Sequence, residues 1–127
     1  MSTKILLVDD QQTVLQVEQM MLKETGADIV IARNGVQALE KARQEKPDLI
    51  VLDIMMPEMD GIETCQNLKT NPETLKIPVV MVTTKGNPEK VEEAFRAGCN
   101  DFVTKPINKV VFLDKIRSCL NGQGPKG

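Results

Sequence analysis

The sequence contains no histidine, tyrosine or tryptophan, and it has only three phenylalanines. Without histidine the chain cannot build a Ser-His-Asp or Cys-His nucleophile pair, a histidine-ligated zinc site or a phosphohistidine carrier. With so few aromatic side chains, a stacking platform for bases or sugars is not expected. These absences exclude several common kinds of catalyst and nucleic-acid binder.

The sequence also lacks a basic excess, since 16 lysines and arginines face 18 acidic residues for a net charge of -2. Direct nucleic-acid binding is therefore not expected. The 127 residues fit one domain, which we place at residues 1–121, with 122–127 as a flexible tail or the start of a linker. No signal peptide and no apolar stretch of membrane-spanning length is found, which predicts a cytoplasmic protein with no membrane partner. The cysteines form no Cys-x-x-Cys pair and are interpreted as reduced thiols.

Five short, nearly unbroken apolar runs recur along the chain. They occupy residues 5–8, 29–32, 49–52, 79–82 and 102–103. A strand with one wet face alternates apolar and polar residues, and these runs do not. They predict strands that are covered on both faces, as in a parallel sheet.

Helical patterns follow each apolar run, and four of them begin at a capping residue: Asn34, Asp60, Asn87 or Asn108. The first helix presents two candidate faces, namely Val14, Val17, Met21 and Val14, Leu15, Glu18, Leu22. Strands that alternate with helices predict an α/β fold with a doubly wound (βα)5 parallel sheet. We expect the flavodoxin-like strand order 2-1-3-4-5.

Charged and polar side chains follow the predicted strands. Asp9 and Asp10 follow the first strand, Asp53 the third, Thr83 the fourth and Lys105 the fifth. In open α/β sheets, ligands bind beyond the carboxyl ends of the strands. Each residue alone has an ordinary explanation as a cap, a turn residue or a solvated side chain, but together they predict one site.

The chemistry of this site follows from its charges. Two carboxylates about 4 Å apart repel by roughly 4 kcal/mol at an effective dielectric near 20, so the cluster favours a shared cation. Oxygen ligands alone favour Mg²⁺. Asp53 could then attack a phosphorus atom, while Lys105 neutralises the transferring group and Thr83 donates a hydrogen bond to it.

These residues resemble a known family, the receiver domains of two-component response regulators, which include chemotaxis-type single-domain regulators. The resemblance covers about residues 3 to 120. It rests on Leu7-Val8-Asp9-Asp10, Asn34-Gly35 with Ala38-Leu39, Asp48 to Asp53, Met56-Pro57 with Asp60-Gly61, Val82-Thr83 and Lys105-Pro106.

The resemblance implies a role for each matching residue. Asp53 would be the phosphoacceptor. Asp10, Asp53 and the backbone carbonyl of Met55 would bind Mg²⁺ directly, and Asp9 would act mainly through a metal-bound water. Thr83 would be the switch hydroxyl and Lys105 the lysine that contacts a phosphoryl oxygen. Phe102 would be the aromatic switch on strand 5, and the Lys105-Pro106 bond is expected to be cis.

The implied function is a phosphorylation-activated switch, not an enzyme that turns over a substrate. A sensor histidine kinase or phosphotransfer protein would supply the phosphoryl group. The face of helix 4, strand 5 and helix 5 would then change shape for a downstream protein effector or a fused output domain. The protein would be a monomer or a phosphorylation-dependent homodimer. Met55 and Lys85 would line the path of the hydrolytic water, and their poor ability to orient water predicts slow self-dephosphorylation.

Three other interpretations compete with this one. A flavodoxin-like electron carrier needs a loop after strand 1 that accepts the flavin phosphate, whereas Asp9 and Asp10 would repel it. A phosphohydrolase with an aspartyl-phosphate intermediate has Asp-x-Asp after a strand, whereas Asp53 is followed by Ile54 and Met55. A receiver-like interaction module that is never phosphorylated would have no need of Asp10, Asp53, Thr83 and Lys105 together.

Overall fold

The computed structural model describes residues 3–122 and shows five strands and five α-helices in alternation. The strands are β1 Lys4–Val8, β2 Asp28–Ala32, β3 Leu49–Asp53, β4 Val79–Thr84 and β5 Asp101–Lys105. The helices are α1 Gln12–Leu22, α2 Gly35–Glu45, α3 Gly61–Lys69, α4 Pro88–Arg96 and α5 Lys109–Leu120, and a short 3-10 helix, Lys23–Thr25, follows α1. The predicted (βα)5 order is confirmed. The predicted tail lies outside the described residues except for Gly122.

The strands form one parallel sheet in the order β2-β1-β3-β4-β5, as expected from the sequence. The order reverses between β1 and β3, where Leu7 of β1 pairs with Val51 of β3. In a doubly wound sheet this reversal opens a crevice at the carboxyl ends of the strands. The residues that follow β1 and β3 therefore meet at the mouth of that crevice.

The core has two layers, one on each face of the sheet. On one face Leu6, Ile50 and Met81 pack against α2, α3 and α4, and on the other Ile5 and Val51 pack against α1 and α5. The central strand β3 is buried along its whole length, whereas the edge strand β2 is only half-buried. The unbroken apolar runs reflect this two-sided burial.

The helix starts confirm three predicted caps and correct the fourth. The side chains of Asn34, Asp60 and Asn108 each accept a hydrogen bond from a backbone N–H in the first turn of their helix. Asn87 makes no such bond, because its φ of -125° and ψ of 57° lie outside the extended conformation of the other caps. Pro88 does occupy the first turn of α4, as predicted.

The start of α3 lies unusually close to the end of β3. The N–H of Gly61 donates to the carbonyl of Ile54, and a Cβ atom at Gly61 would lie 2.2 Å from the carbonyl oxygen of Asp53. Only glycine fits there, because that distance is far below van der Waals contact. The close approach fixes the loop that carries Met55 and Met56 across the top of the sheet.

The three cysteines are buried and free. Burial raises the pKa of the Cys65 thiol to about 11, so it is protonated and unreactive at neutral pH. Within the described residues, no helix is long and apolar enough to cross a membrane.

Candidate functional site

Three carboxylates converge at the mouth of the crevice, as the sequence predicts. Asp9 and Asp10 directly follow β1, and Asp53 ends β3, the neighbouring strand. Oxygen atoms of the three side chains lie within 4.8 Å of one another. Asp9 and Asp53 are buried, and Asp10 is half-buried.

Lys105 reaches this cluster from the end of β5, across the intervening strand β4. Its Nζ lies 3.3 Å from Oδ1 of Asp53 and 3.7 Å from Oδ2 of Asp9. The bond between Lys105 and Pro106 is cis, as the resemblance implies. One ammonium thus faces two buried carboxylates.

Burial makes the charged forms of Asp53 and Asp9 costly. Burial, together with the charge of Asp9, raises the pKa of Asp53 to about 6, although Lys105 opposes the shift. Burial also raises the pKa of Asp9, against the hydrogen bond from the Gln11 backbone and the charge of Lys105. A buried carboxylate keeps its charge only where a cation or hydrogen-bond donors compensate it. Lys105 lowers the pKa of both carboxyls, but both stay above their usual range.

The donor set of the site fits a hard divalent cation. Oδ1 of Asp9 accepts a hydrogen bond from the backbone N–H of Gln11 at 2.9 Å, whereas its buried Oδ2 has no hydrogen-bond partner among the described residues. A buried oxygen that has only the ionic contact with Lys105 and lies beside two further carboxylates suits a metal ligand or a ligand of metal-bound water. All candidate ligands are oxygens, which favours Mg²⁺ over zinc or copper.

Thr83 stands on β4, the strand next to Asp53. It is 1% exposed, and within residues 3–122 its hydroxyl has only a long contact of 3.5 Å to the carbonyl of Thr84. A hydroxyl held this weakly can turn toward a new acceptor at low cost.

Phe102 does not belong to the carboxylate cluster. It lies three residues before Lys105 on β5, which places it roughly 10 Å farther along the strand. Its half-buried ring makes an edge-to-face contact with Phe95 of α4. A cavity of about 270 Å³ borders the ring, lined also by Thr84, Val91 and Thr104.

Met55 and Lys85 are exposed, with 57% of Met55 accessible. Met55 lies in the loop after β3 and Lys85 in the loop after β4. The roles of these two side chains, and that of the Met55 carbonyl, stay predictions.

Two charged residues near this machinery were not assigned a role from the sequence. Glu18 is 1% exposed on the inner face of α1 between Leu15 and Leu22, whereas Val17 of the alternative face is exposed. The burial of Glu18, with the charges of Asp9 and Asp53, raises its pKa to about 8. The spacing Leu15-Glu18-Leu22 was the only signal for this burial.

The second is Lys115 of α5, which contacts Phe102. It lies 13 residues from Phe102 in the chain, and no sequence pattern links the two.

The comparison with protein families shows the class of this chain. The response regulator receiver domain family matches residues 5–117, so the chain belongs to that family. This is the family that the sequence motifs indicate.

Particular relatives are similar over nearly the whole chain. The alkaline phosphatase synthesis transcriptional regulatory protein PhoP of Bacillus subtilis is 41% identical over 120 residues, which are 94% of this chain and 49% of PhoP. Protein PilH of Pseudomonas aeruginosa is 37% identical over 119 residues, 94% of this chain and 98% of PilH. The chain therefore spans about half of the first relative and nearly all of the second.

Solved structures agree as well. A response regulator structure from Chloroflexus aurantiacus has a TM-score of 0.92 at 27% identity, with 95% of this chain and 99% of that one covered. A chemotaxis protein of Vibrio cholerae has a TM-score of 0.86 at 30% identity, with 92% and 98% covered. At these TM-scores the solved proteins share the fold of this chain, whose strand order is the flavodoxin-like one expected from the sequence.

Proposed function

We propose that this chain is a phosphorylation-activated receiver that accepts a phosphoryl group on Asp53 from a histidine kinase or phosphotransfer protein. One observation supports this most. The Asp53 carboxylate, 3% exposed, lies 3.3 Å from the Lys105 ammonium, within an oxygen cluster suited to a cation. Mg²⁺ would be held by Asp10, Asp53 and the carbonyl of Met55, with Asp9 acting through water.

The transfer needs no general base. A cation held by these residues would neutralise charge on the phosphoryl oxygens and on the carboxylates. An oxygen of Asp53 forms a bond to phosphorus as the bond to the donor's nitrogen breaks, and the nitrogen keeps the electron pair. The Asp53 carboxylate is ionised at neutral pH once a cation compensates the charge of its neighbours, so no base has to remove a proton from it. Catalysis therefore rests on position and electrostatics.

Lys105 acts on the phosphoryl group during and after the transfer, and Thr83 acts on it after the transfer. As the Asp53 carboxylate becomes an acyl phosphate, the Lys105 ammonium shifts from that carboxylate to a phosphoryl oxygen, which it binds as a point charge. The Thr83 hydroxyl exchanges its long contact with Thr84 for a charge-assisted hydrogen bond to the same group. The gain in hydrogen bonding draws Thr83 toward Asp53.

The movement of Thr83 would be transmitted through Phe102 to the face of α4, β5 and α5. The ring would enter space beside the displaced threonine and leave its contact with Phe95. A protein effector or a fused output domain would bind one arrangement of this face better than the other, and that difference in affinity is the output. Such a switch suits either a monomer or a homodimer formed on phosphorylation.

Intact-mass measurement with Mg²⁺ and a small phosphodonor tests the proposal. The wild-type protein should gain the mass of one phosphoryl group, and Asp53→Ala should gain none. Asp114→Asn, which changes an exposed aspartate on α5, is the matched control and should behave as wild type. No adduct on the wild type, or an adduct that survives in Asp53→Ala, would favour a receiver-like interaction module that is never phosphorylated.

The lifetime of the adduct should be long, because neither Met55 nor Lys85 can orient an attacking water as an amide or carboxylate would. We expect Met55→Asn to hydrolyse the aspartyl phosphate about tenfold faster than wild type, which is less than the ~10²-fold of a complete general base. The decay of the adduct, followed by intact mass after removal of the phosphodonor, measures this. Glu58→Gln, an exposed change in the same loop, should leave the decay unchanged. Equal decay in Met55→Asn and wild type would contradict the role of Met55.

A further inference from the structure

The ammonium of Lys115 makes three contacts at once, two with Phe102 and one with its neighbour Asp101. Its Nζ lies 2.6 Å from the carbonyl oxygen of Phe102 and 3.2 Å from Oδ1 of Asp101. It also lies 4.6 Å from the centroid of the Phe102 ring. One ammonium therefore binds the backbone of Phe102, the carboxylate beside it and the face of its ring.

Asp101 contacts both Phe102 and Lys115. Its Oδ1 accepts a hydrogen bond from the N–H of Phe102 at 2.8 Å, as well as the one from Lys115. The side chain of Asp101 is 10% exposed and that of Lys115 28%, so water screens this pair less than an exposed ion pair. Phe102 is thereby tied to Lys115 of α5 directly by its carbonyl and its ring, and indirectly by its N–H through Asp101.

Open space borders the Phe102 ring on the side of α4. The cavity of about 270 Å³ on its border is lined by Pro88 and Val91 of α4 and by Thr84 and Thr104 of the sheet. A ring that turns away from the ammonium gives up a cation–π contact, whose strength increases as water is excluded. Lys115 thus favours the observed position of the ring over any position without this contact.

We propose that Lys115 is a positioning residue that stabilises Phe102 in its unphosphorylated arrangement and so sets how rarely the active arrangement forms before phosphorylation. The inference rests on the proposed switch and deepens it. Phosphorylation can increase the population of the active arrangement only if that population is small beforehand. Lys115 keeps it small, because its contact with the Phe102 ring exists only in the unphosphorylated arrangement.

The rotamer of Phe102 in the unphosphorylated protein tests this directly. The chain has three phenylalanines, so three-bond couplings of isotope-labelled phenylalanine report χ1 of each ring. In Lys115→Met, which keeps the aliphatic stem and loses the ammonium, the population of the minor Phe102 rotamer should rise roughly fivefold. Arg117→Gln, on the same helix but paired with Glu24, should match wild type.

A second variant covers a loss of folding in Lys115→Met. Asp101→Asn removes the charge that anchors the ammonium and should shift the Phe102 rotamer in the same direction by a smaller factor. Unchanged Phe102 couplings in the folded variants would overturn the proposal.

The rate of phosphoryl adduct formation separates this inference from the proposed function. It should rise roughly fivefold in Lys115→Met, because more molecules occupy the active arrangement. A shifted rotamer without any adduct on wild type would support the role of Lys115 in positioning the ring and reject the phosphoacceptor. A normal adduct with unchanged rotamers and rates would reject the role of Lys115 alone.

Discussion

Glu18→Leu is expected to make the folded protein more stable at pH 8 by several kcal/mol. Glu18 lies on the buried face of α1, and its Oε1 has no hydrogen-bond partner among the described residues. Burial and the neighbouring charges of Asp9 and Asp53, which Lys105 only partly offsets, raise its pKa from 4.5 to about 8. Leucine at this position would extend the apolar face formed by Leu15 and Leu22.

The sign of the pH effect follows from proton binding. Below pH 4.5 the Glu18 carboxyl is protonated in both the folded and the unfolded chain, so it carries no charge penalty. Between pH 4.5 and 8 the unfolded chain releases the proton while the folded chain keeps it, and the free energy of unfolding falls by about 1.4 kcal/mol per unit. The loss sums to roughly 4 kcal/mol by pH 8, a large fraction of the 5–15 kcal/mol of an ordinary domain.

Urea unfolding at pH 6 and pH 8, followed by far-UV circular dichroism, measures this effect. Circular dichroism is needed because the chain has no tryptophan or tyrosine to report by fluorescence. Asp9 and Asp53 also have raised pKa values, so wild type keeps some slope from them, and the difference between wild type and Glu18→Leu isolates Glu18. Glu40→Gln, an exposed change on α2, should keep the wild-type slope. A variant less stable than wild type at pH 8, with an equal slope, would contradict the assignment.

The burial of Glu18 shows where sequence patterns stop being decisive. Its spacing placed it on one of two candidate faces of α1, together with Leu15 and Leu22. Glutamate is almost always exposed, so composition alone favours the face of Val17. The packing of α1 against the sheet instead buries Glu18 and leaves Val17 exposed. This packing depends on the whole fold.

The carboxylate cluster, by contrast, could be predicted because its position depends on topology alone. Asp9 and Asp53 follow strands that are adjacent in the doubly wound order, so their meeting needs no knowledge of side-chain packing. The contact of Lys115 with Phe102 depends on how α5 lies against an edge strand. The missing cap at Asn87 depends on one pair of backbone angles. Neither leaves a periodic signal in the sequence.

Lys105→Met is expected to slow phosphoryl adduct formation by about 10² to 10³-fold, the usual cost of removing one preorganised charge from a transferring group. The ammonium lies 3.3 Å from Asp53 and 3.7 Å from Asp9, where the negative charge of the phosphoryl oxygens would gather.

Removing the Lys105 ammonium should also raise the pKa of Asp53 further, because Lys105 now lowers that pKa. Unlike adduct formation, Mg²⁺ binding should not weaken, because the carboxylates lose a competing positive charge. Calorimetric titration with Mg²⁺ should therefore show affinity equal to or tighter than wild type, while intact mass shows the slow adduct.

Lys109→Met, a change at an exposed lysine that pairs with Glu24, is the control for loss of charge. Fast adduct formation in Lys105→Met would remove Lys105 from the transfer, and weakened Mg²⁺ binding would indicate that the variant disturbs the carboxylates themselves.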